Sequence, residues 1–234
     1  KSVYFFFTKL KINKDVIASL PSGNFGHAYA GWTAKNMVLS FKGINVATNK
    51  NDVLHRLFLE DLYQQKEASS SLAPSMDISV ASNFERLLFE VFKKDGLLLK
   101  NLFSSFPSKS INLSNLPDDG WNKIKNFFQS STCSDADIIE TIVNKYNYEN
   151  ILLDPHTATA IKGNKDLNYD LSEVVTFATA HPAKFPDAIN AKLDVLEENT
   201  PLKLKEIMTK DESYSVIENK YEDVVNFINS EVLN

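Results

Sequence analysis

The feature that most constrains the fold is a strand, glycine-rich turn, helix, strand and helix in the first 62 residues. Residues 15–20 (DVIASL) and 43–48 (GINVAT) are short apolar runs bounded by turn signals, which is typical of buried strands. Helical spacing of small and apolar residues predicts helices over residues 28–38 and 52–62. Two strands joined through a helix are parallel. The sequence therefore predicts an open, mostly parallel twisted α/β sheet flanked by helices.

The rest of the chain continues this alternation. A buried strand is predicted at residues 174–178 and a short strand at residues 151–153. Gly96 is expected to end one helix, and loops are predicted at residues 64–82 and 107–119. The predicted helices cover residues 2–13, 83–95, 97–106, 121–130, 134–146, 155–161 and 182–193, with two charged helices within 194–234.

Composition excludes several classes of protein. The hydrophobic fraction of 43% is enough for a core, and the net charge of −5 without an unmixed basic stretch argues against nucleic-acid binding. The sequence contains no run of about 18 apolar residues, so it predicts no membrane-spanning helix. A single cysteine, Cys133, permits no internal disulfide and suits a reducing compartment, so we expect a cytoplasmic protein.

A glycine-rich turn follows the first predicted strand. Ligands of open parallel sheets bind beyond the carboxyl ends of the strands, where Ser22-Gly23-Asn24-Phe25-Gly26 lies. Glycines let the backbone approach a ligand, and the N–H groups at the start of the next helix suit a phosphate. The turn is neither a P-loop nor a GxGxxG motif. The alternative is a tight connection that needs glycine for positive φ.

A second polar turn follows the last predicted strand. The hydroxyl of Thr179 could bond a ring nitrogen, His181 could act as an acid or base, and Lys184 could bind an anion. The alternative is that Thr179 caps the helix that Pro182 begins. Both turns leave strand ends, so we expect them to meet at one site.

A third cluster surrounds Asp154, which is well placed to cap the helix that begins at Pro155. His156 lies within the same cluster. Four histidines and one cysteine without HxxxH or CxxC spacing predict no zinc site, and no GxSxG nucleophile motif occurs.

Six short motifs, spread over residues 2 to about 193, resemble in sequence and order those of threonine synthases, which are pyridoxal-phosphate (PLP) enzymes of the tryptophan-synthase-β-like fold. The motifs are Pro21-Ser22-Gly23-Asn24-Phe25-Gly26 with Ala30-Gly31, Ala47-Thr48-Asn49-Lys50-Asn51-Asp52, Pro74-Ser75-Met76-Asp77-Ile78-Ser79, Ser82-Asn83-Phe84-Glu85-Arg86, Leu153-Asp154-Pro155-His156-Thr157-Ala158 and Thr179-Ala180-His181-Pro182-Ala183-Lys184-Phe185-Pro186. A serine or threonine dehydratase of the same fold is not expected to carry the third and sixth motifs together.

The resemblance implies conversion of O-phosphohomoserine and water to threonine and phosphate, the last step of threonine biosynthesis. It implies that the cofactor's phosphate binds at the turn and that Thr179 meets the pyridine nitrogen. The implied cofactor-binding residues are Gly23, Asn24, Phe25, Gly26, His27 and Thr179. The substrate-side candidates are Asp154, His156, His181 and Lys184.

Two departures qualify the resemblance. His27 stands where the family usually has an acidic or amide residue, and the lysine that forms the Schiff base lies in an earlier part of the family's chain. Lys42, in a superficially similar Phe-Lys-Gly context, is interpreted as a solvent-facing residue at a strand start. The chain begins at Lys1 rather than Met, so we expect a C-terminal portion that needs the N-terminal part of the same enzyme and is inactive alone.

The expected organisation is therefore two parts. Residues 1–193 are the C-terminal portion of the catalytic domain, with a loop and helical insertion at about 64–133, and residues 194–234 are a helical tail. The competing hypothesis is a non-catalytic phosphate-ligand-binding or interaction module on a retired PLP-enzyme fold.

Overall fold

The computed structural model describes residues 1–116 and 120–232. The chain divides into two compact units, Lys1–Glu198 and Asn199–Asn234. The strands are β1 (Ile17–Pro21), β2 (Gly43–Thr48), β3 (Leu62–Tyr63), β4 (Ile111–Asn112), β5 (Phe128–Thr132) and β6 (Val174–Thr176). The helices are α1 (Ser2–Ile12), α2 (Gly26–Asn36), α3 (Val53–Glu60), α4 (Phe84–Val91), α5 (Gly96–Phe103), α6 (Gly120–Lys125), α7 (Asp135–Glu149), α8 (Pro155–Asp166), α9 (Pro186–Asn190), α10 (Leu196–Asn199), α11 (Leu202–Met208) and α12 (Tyr221–Phe227).

A four-stranded parallel sheet in the order β5-β2-β1-β6 forms the centre of the first unit. β1 and β2 pair from Ile17 with Gly43 to Pro21 with Ala47, and α2 connects them. The predicted strand–helix–strand unit with parallel strands is therefore confirmed. The short strands β3 and β4 form a separate antiparallel pair.

The two faces of this sheet are packed differently. Helix α8 lies so close to the sheet that a Cβ on Gly163 would be 2.1 Å from Ser131 Oγ. Beneath it, buried polar side chains bond across the strands: Asn45 Nδ2 donates to Ser19 Oγ (3.1 Å), which donates to the Ala160 carbonyl (3.2 Å). A large apolar cluster that contains many aromatic rings, Phe25 among them, forms the main core.

Three predictions about local structure are wrong. Residues 128–130 were expected to be helical, but Phe128 begins β5, where pairing with Ile44 of β2 outweighs the helical spacing that precedes it. The predicted strand at residues 151–153 is absent, because these residues simply connect α7 to α8 and pack Leu152 and Leu153 on a second apolar cluster.

The third error concerns Gly96, which begins α5 instead of ending the preceding helix. Helix α4 already ends at Val91, and Lys93 and Lys94 have the positive φ values that make the turn. The predicted loop at residues 107–119 contains β4, and its last three residues, 117–119, lie outside the described part of the chain.

The second unit contains α11 and α12, separated by the irregular residues 209–220, and a π-helical turn at Ile228–Val232. Within residues 1–116 and 120–232, no helix has the length and apolar character needed to cross a membrane.

Candidate functional site

Both predicted turns line one cavity of about 290 Å³. It lies where β1 and β6 end, since the turn at residues 21–27 follows β1 and Thr179 follows β6. The lining residues are Lys1, Pro21, Ser22, Gly23, Asn24, Phe25, Gly26, His27, Ser75, Met76, Asn83, His156 and Thr179. The structure therefore brings together residues that are more than 150 positions apart in the sequence.

Phe25 anchors the first turn in the core. Its backbone has φ 62° and ψ −5°, the left-handed region that costs a bulky residue about 1–2 kcal/mol. The ring is fully buried and lies 5.5 Å from the rings of both Phe84 and Phe128. Aromatic packing thus holds a conformation that the local backbone disfavours.

The glycines of this turn serve close packing. None of the glycines in the described chain has positive φ, so the alternative that required glycine for backbone conformation is wrong. A Cβ on Gly23 would lie 2.8 Å from the Met76 Cα, and one on Gly26 would lie 3.2 Å from Asn83 Nδ2. The turn is pressed against two neighbouring loops, which leaves its backbone open on the cavity side.

Asn24 joins the turn to the start of α4. Its side-chain oxygen accepts hydrogen bonds from Ser82 Oγ (2.8 Å) and from the Asn83 N–H (3.2 Å). In return, Asn83 Nδ2 donates to the Asn24 carbonyl (3.1 Å). These bonds hold the turn against the start of α4.

The turn that lines the cavity carries donors without partners among the described residues. No side chain caps the N-terminus of α2, so its first N–H groups remain available. Ser22 is 4% exposed, and its hydroxyl has no hydrogen-bond partner among residues 1–116 and 120–232. Buried donors of this kind are normally satisfied, which indicates a ligand that accepts hydrogen bonds. A phosphate group fits this set.

His27 adds a neutral ring to the same edge. Its Nε2 is buried without a partner, and burial, with a smaller contribution from the charge of Lys1, lowers the pKa of the ring to about 4. The ring lies edge-on to Phe5 (5.6 Å) and Phe177 (5.5 Å). Near pH 7 it is therefore uncharged and can donate one N–H to an anion.

Thr179 forms the opposite edge. It is exposed and lines the cavity, and its backbone N–H donates to Thr157 Oγ1 (3.3 Å). The alternative role as a helix cap is wrong, because His181 Nδ1 accepts from the Ala183 N–H (3.2 Å) and fills that position. Within the described chain, the Thr179 hydroxyl has no partner and stays available to a ligand.

The other candidates lie at different depths. Asp154 is 2% exposed and caps α8, as the sequence predicts, by accepting from the N–H groups of His156 (3.0 Å) and Thr157 (3.3 Å). His156 lines the cavity, whereas His181 and Lys184 do not. Burial raises the pKa of Asp154, but hydrogen bonds from His156 and Thr157 outweigh this and hold it below its usual range.

Ser22, Ser75, Met76 and Asn83 also line the cavity, although the sequence did not single them out as site residues. All four belong to the six motifs that resemble those of threonine synthases, and that membership is the sequence signal that could have identified them. Lys42 is exposed at the start of β2 and pairs with Glu173 (2.5 Å), which confirms its interpretation as a solvent-facing residue. Over the described residues, no group of three or more His, Cys, Asp and Glu side chains is placed to hold a metal ion.

Comparison with known proteins points to one family. The family model described as threonine synthase, C-terminal, matches residues 157–228. The threonine synthase of Pseudomonas aeruginosa is 36% identical over 230 residues, which cover 97% of this chain and 49% of that protein. The threonine synthase of Saccharomyces cerevisiae is 35% identical over 211 residues, covering 81% of this chain and 40% of that protein.

Solved structures agree with these relatives. A PLP-bound threonine synthase from Brucella melitensis superposes with a TM-score of 0.84 at 32% identity, covering 97% of this chain and 49% of that one. Yeast threonine synthase gives a TM-score of 0.82 at 29% identity, covering 99% of this chain and 51% of that one. The predicted fold class is thus confirmed, and the chain spans about half the length of the curated relatives it matches. The chain belongs to the threonine synthase family and matches its C-terminal portion.

Proposed function

We propose that this chain supplies the phosphate-binding and ring-binding walls of a PLP site that converts O-phosphohomoserine and water to threonine and phosphate. The observation that carries the proposal is the single cavity lined by both turns, with Asn24 on one edge and Thr179 on the other. The relative from Brucella melitensis is described as PLP-bound, which supports the same cofactor here.

The residues of the first turn fit the phosphate of the cofactor. The backbone at Gly23, Asn24, Phe25 and Gly26 would hold the phosphate through N–H groups at the start of α2. The Ser22 hydroxyl and a ring N–H of His27 would donate further hydrogen bonds, which would satisfy groups that have no partner in the described part of the chain.

Thr179 would meet the ring nitrogen of the cofactor. A hydroxyl can donate to or accept from that nitrogen, and a neutral partner leaves the nitrogen less firmly protonated than a carboxylate would. When bound, PLP supplies an electron sink that stabilises carbanions next to the substrate's amino group. The substrate-side roles of Asp154, His156, His181 and Lys184 stay predictions.

The lysine that carries the cofactor is expected in the part of the family protein that this chain does not span. The N-terminal part of the same enzyme is therefore the proposed partner, and the chain by itself is expected to be inactive. The second candidate, a non-catalytic module that binds phosphate ligands, is favoured only by the absence of an assigned cofactor lysine among these residues.

Binding of pyridoxine 5′-phosphate to the chain tests the site directly. This probe has the ring and phosphate of the cofactor but no aldehyde, so it cannot react with surface lysines. We expect saturable binding, followed by ring fluorescence, that inorganic phosphate displaces and that Ser22→Ala weakens. Binding that phosphate does not displace would contradict the site.

Fusing the chain behind the N-terminal half of the Pseudomonas aeruginosa relative tests the reaction. We expect the fusion to release phosphate from O-phosphohomoserine, Thr179→Val to reduce that release, and the chain alone to release none. A fusion that folds and binds the probe without releasing phosphate would favour the non-catalytic module.

A further inference from the structure

The cavity's two edges are joined behind its wall by a buried hydrogen-bond network centred on Asp154. The carboxylate is 2% exposed and accepts the two backbone N–H bonds that cap α8. It also accepts bonds from the side chains of His156 and Thr157. One carboxylate oxygen, Oδ1, makes the capping bonds, and the other, Oδ2, accepts the bond from the Thr157 hydroxyl.

The first arm of the network runs to Thr179. The hydroxyl of Thr157 donates its one hydrogen to Asp154 Oδ2, which leaves the oxygen as an acceptor. The backbone N–H of Thr179 donates to that oxygen at 3.3 Å. Thr157 is 3% exposed, so water does not compete for either bond.

The second arm runs to the turn at Pro74–Met76. Nε2 of His156 accepts from the Ser75 N–H (3.1 Å), so this nitrogen carries no proton. The proton therefore lies on Nδ1, which donates to Asp154 Oδ1 (3.0 Å). The same turn carries Met76, whose Cα would lie 2.8 Å from a Cβ on Gly23, so it backs the phosphate turn.

We propose that Asp154 is a positioning residue that sets the two edges of the cavity relative to each other, through Thr157 toward Thr179 and through His156 toward Ser75. Both arms end on residues that line the cavity, whereas the carboxylate itself does not reach it. A residue that only capped α8 would not need to connect to both edges of the cavity. The expected effect on ligand affinity rests on the proposed function, whereas the existence of the network does not depend on it.

Two substitutions at Thr157 separate positioning from folding. Thr157→Val removes the hydroxyl with almost no change in shape, and Thr157→Ser keeps it. We expect the valine variant to bind pyridoxine 5′-phosphate about fivefold more weakly, the effect of losing one buried hydrogen bond. Its affinity for inorganic phosphate should not change, because that ligand needs only the first turn. The serine variant should retain wild-type affinity for both.

Asp154→Asn tests the centre of the network. Asparagine caps helices as well as aspartate does, so α8 should persist. The amide NH₂ group takes the place of one carboxylate oxygen. A donor then faces the donor of either Thr157 or His156, and that hydrogen bond is lost. We expect weaker binding of both probes, or of the ring-containing probe alone if the Thr157 arm is the one opposed, and faster amide hydrogen exchange at Ser75 or Thr179.

The outcomes distinguish this inference from the proposed function. Unchanged exchange and affinity in Asp154→Asn, or a serine variant as impaired as the valine variant, would overturn the positioning role. Equal weakening of both probes by Thr157→Val would also overturn it, since a general loss of structure predicts that result. If the wild-type chain bound neither probe, the proposed function would fail, and hydrogen exchange at Ser75 and Thr179 would still decide whether the network exists.

Discussion

The two edges of the cavity are held by different kinds of interaction. The edge after β1 rests on core packing: Phe25 is fully buried among aromatic rings, and Gly23 leaves no room for a side chain against Met76. The edge after β6 follows a strand of three residues that pairs only with β1. There Thr179 is exposed, and among the described residues its backbone N–H donates one hydrogen bond, to Thr157.

This difference assigns different consequences to changes at the two edges. Packing in the core is shared with the whole first unit, so damage to the edge after β1 should lower the stability of the fold. A hydrogen bond at the border of the sheet opens locally, so damage to the Thr179 edge should change binding before it changes stability. Under the proposed function, this arrangement predicts a preformed phosphate site and an adjustable ring-binding edge.

The largest expected effect is that of truncating Phe25. Phe25→Ala removes a fully buried ring and leaves an alanine in the left-handed backbone region, so we expect the free energy of unfolding to fall by about 3–5 kcal/mol. Urea denaturation measures this loss. The same substitution at Phe7, which is 59% exposed, is the matched control and should cost no more than about 0.5 kcal/mol. Equal losses at the two positions would break the comparison.

A smaller effect is expected for Gly23→Ala. The new Cβ would lie 2.8 Å from a backbone atom of Met76, so one of the two loops must shift, at a cost of about 1–3 kcal/mol. Affinity for inorganic phosphate, measured by calorimetry, should fall with it. Gly96→Ala, at the start of α5, is the control. The nearest atom to its new Cβ is 3.9 Å away, so we expect no loss of stability or of phosphate affinity. Intact phosphate binding in Gly23→Ala would show that close packing does not shape the turn.

The first edge was largely predictable from the sequence, and the reasons are local. A buried run, a glycine-rich turn and helical spacing fall within about twenty residues, so strand, turn and helix follow from short-range patterns. The positive φ of Phe25 does not, because the packing that holds it comes from Phe84 and Phe128, far along the chain. The sequence offered two reasons for the glycines, approach of a ligand to the backbone and positive φ. The structure excludes positive φ and shows close contact with neighbouring loops, and the approach of a ligand stays a prediction.

The remaining features depend on pairing between distant segments. Strand β5 was missed because residues 121–130 continue a helical pattern, and only the neighbouring β2 makes Phe128 part of a strand. Asp154 was predicted correctly as a cap from its own neighbourhood. The bond from Ser75 to His156, which connects Asp154 to the turn, joins positions 81 residues apart, and no periodicity within one sequence indicates such a contact.

The titration of His27 gives the smallest expected effect and connects the two edges. The ring lines the cavity beside the turn after β1 and also packs on Phe177, just after β6. Burial, with a smaller contribution from the nearby charge of Lys1, lowers its pKa to about 4, so the folded protein keeps it neutral while the unfolded chain takes up a proton below about pH 6.5. Stability due to this group is therefore present at higher pH and is lost as the pH falls.

Between pH 7 and pH 6 this uptake should lower the unfolding free energy of the wild-type chain by about 0.7 kcal/mol more than that of His27→Asn. Urea denaturation at the two pH values measures the difference. His55, whose pKa is also lowered by burial, is present in both proteins, so its contribution to the pH dependence of stability cancels. Saturating inorganic phosphate should shrink the difference, because an anion at the first turn stabilises the protonated ring. If phosphate binds without altering the difference, His27 belongs to the Thr179 edge, and the phosphate edge consists of the turn and the start of α2 alone.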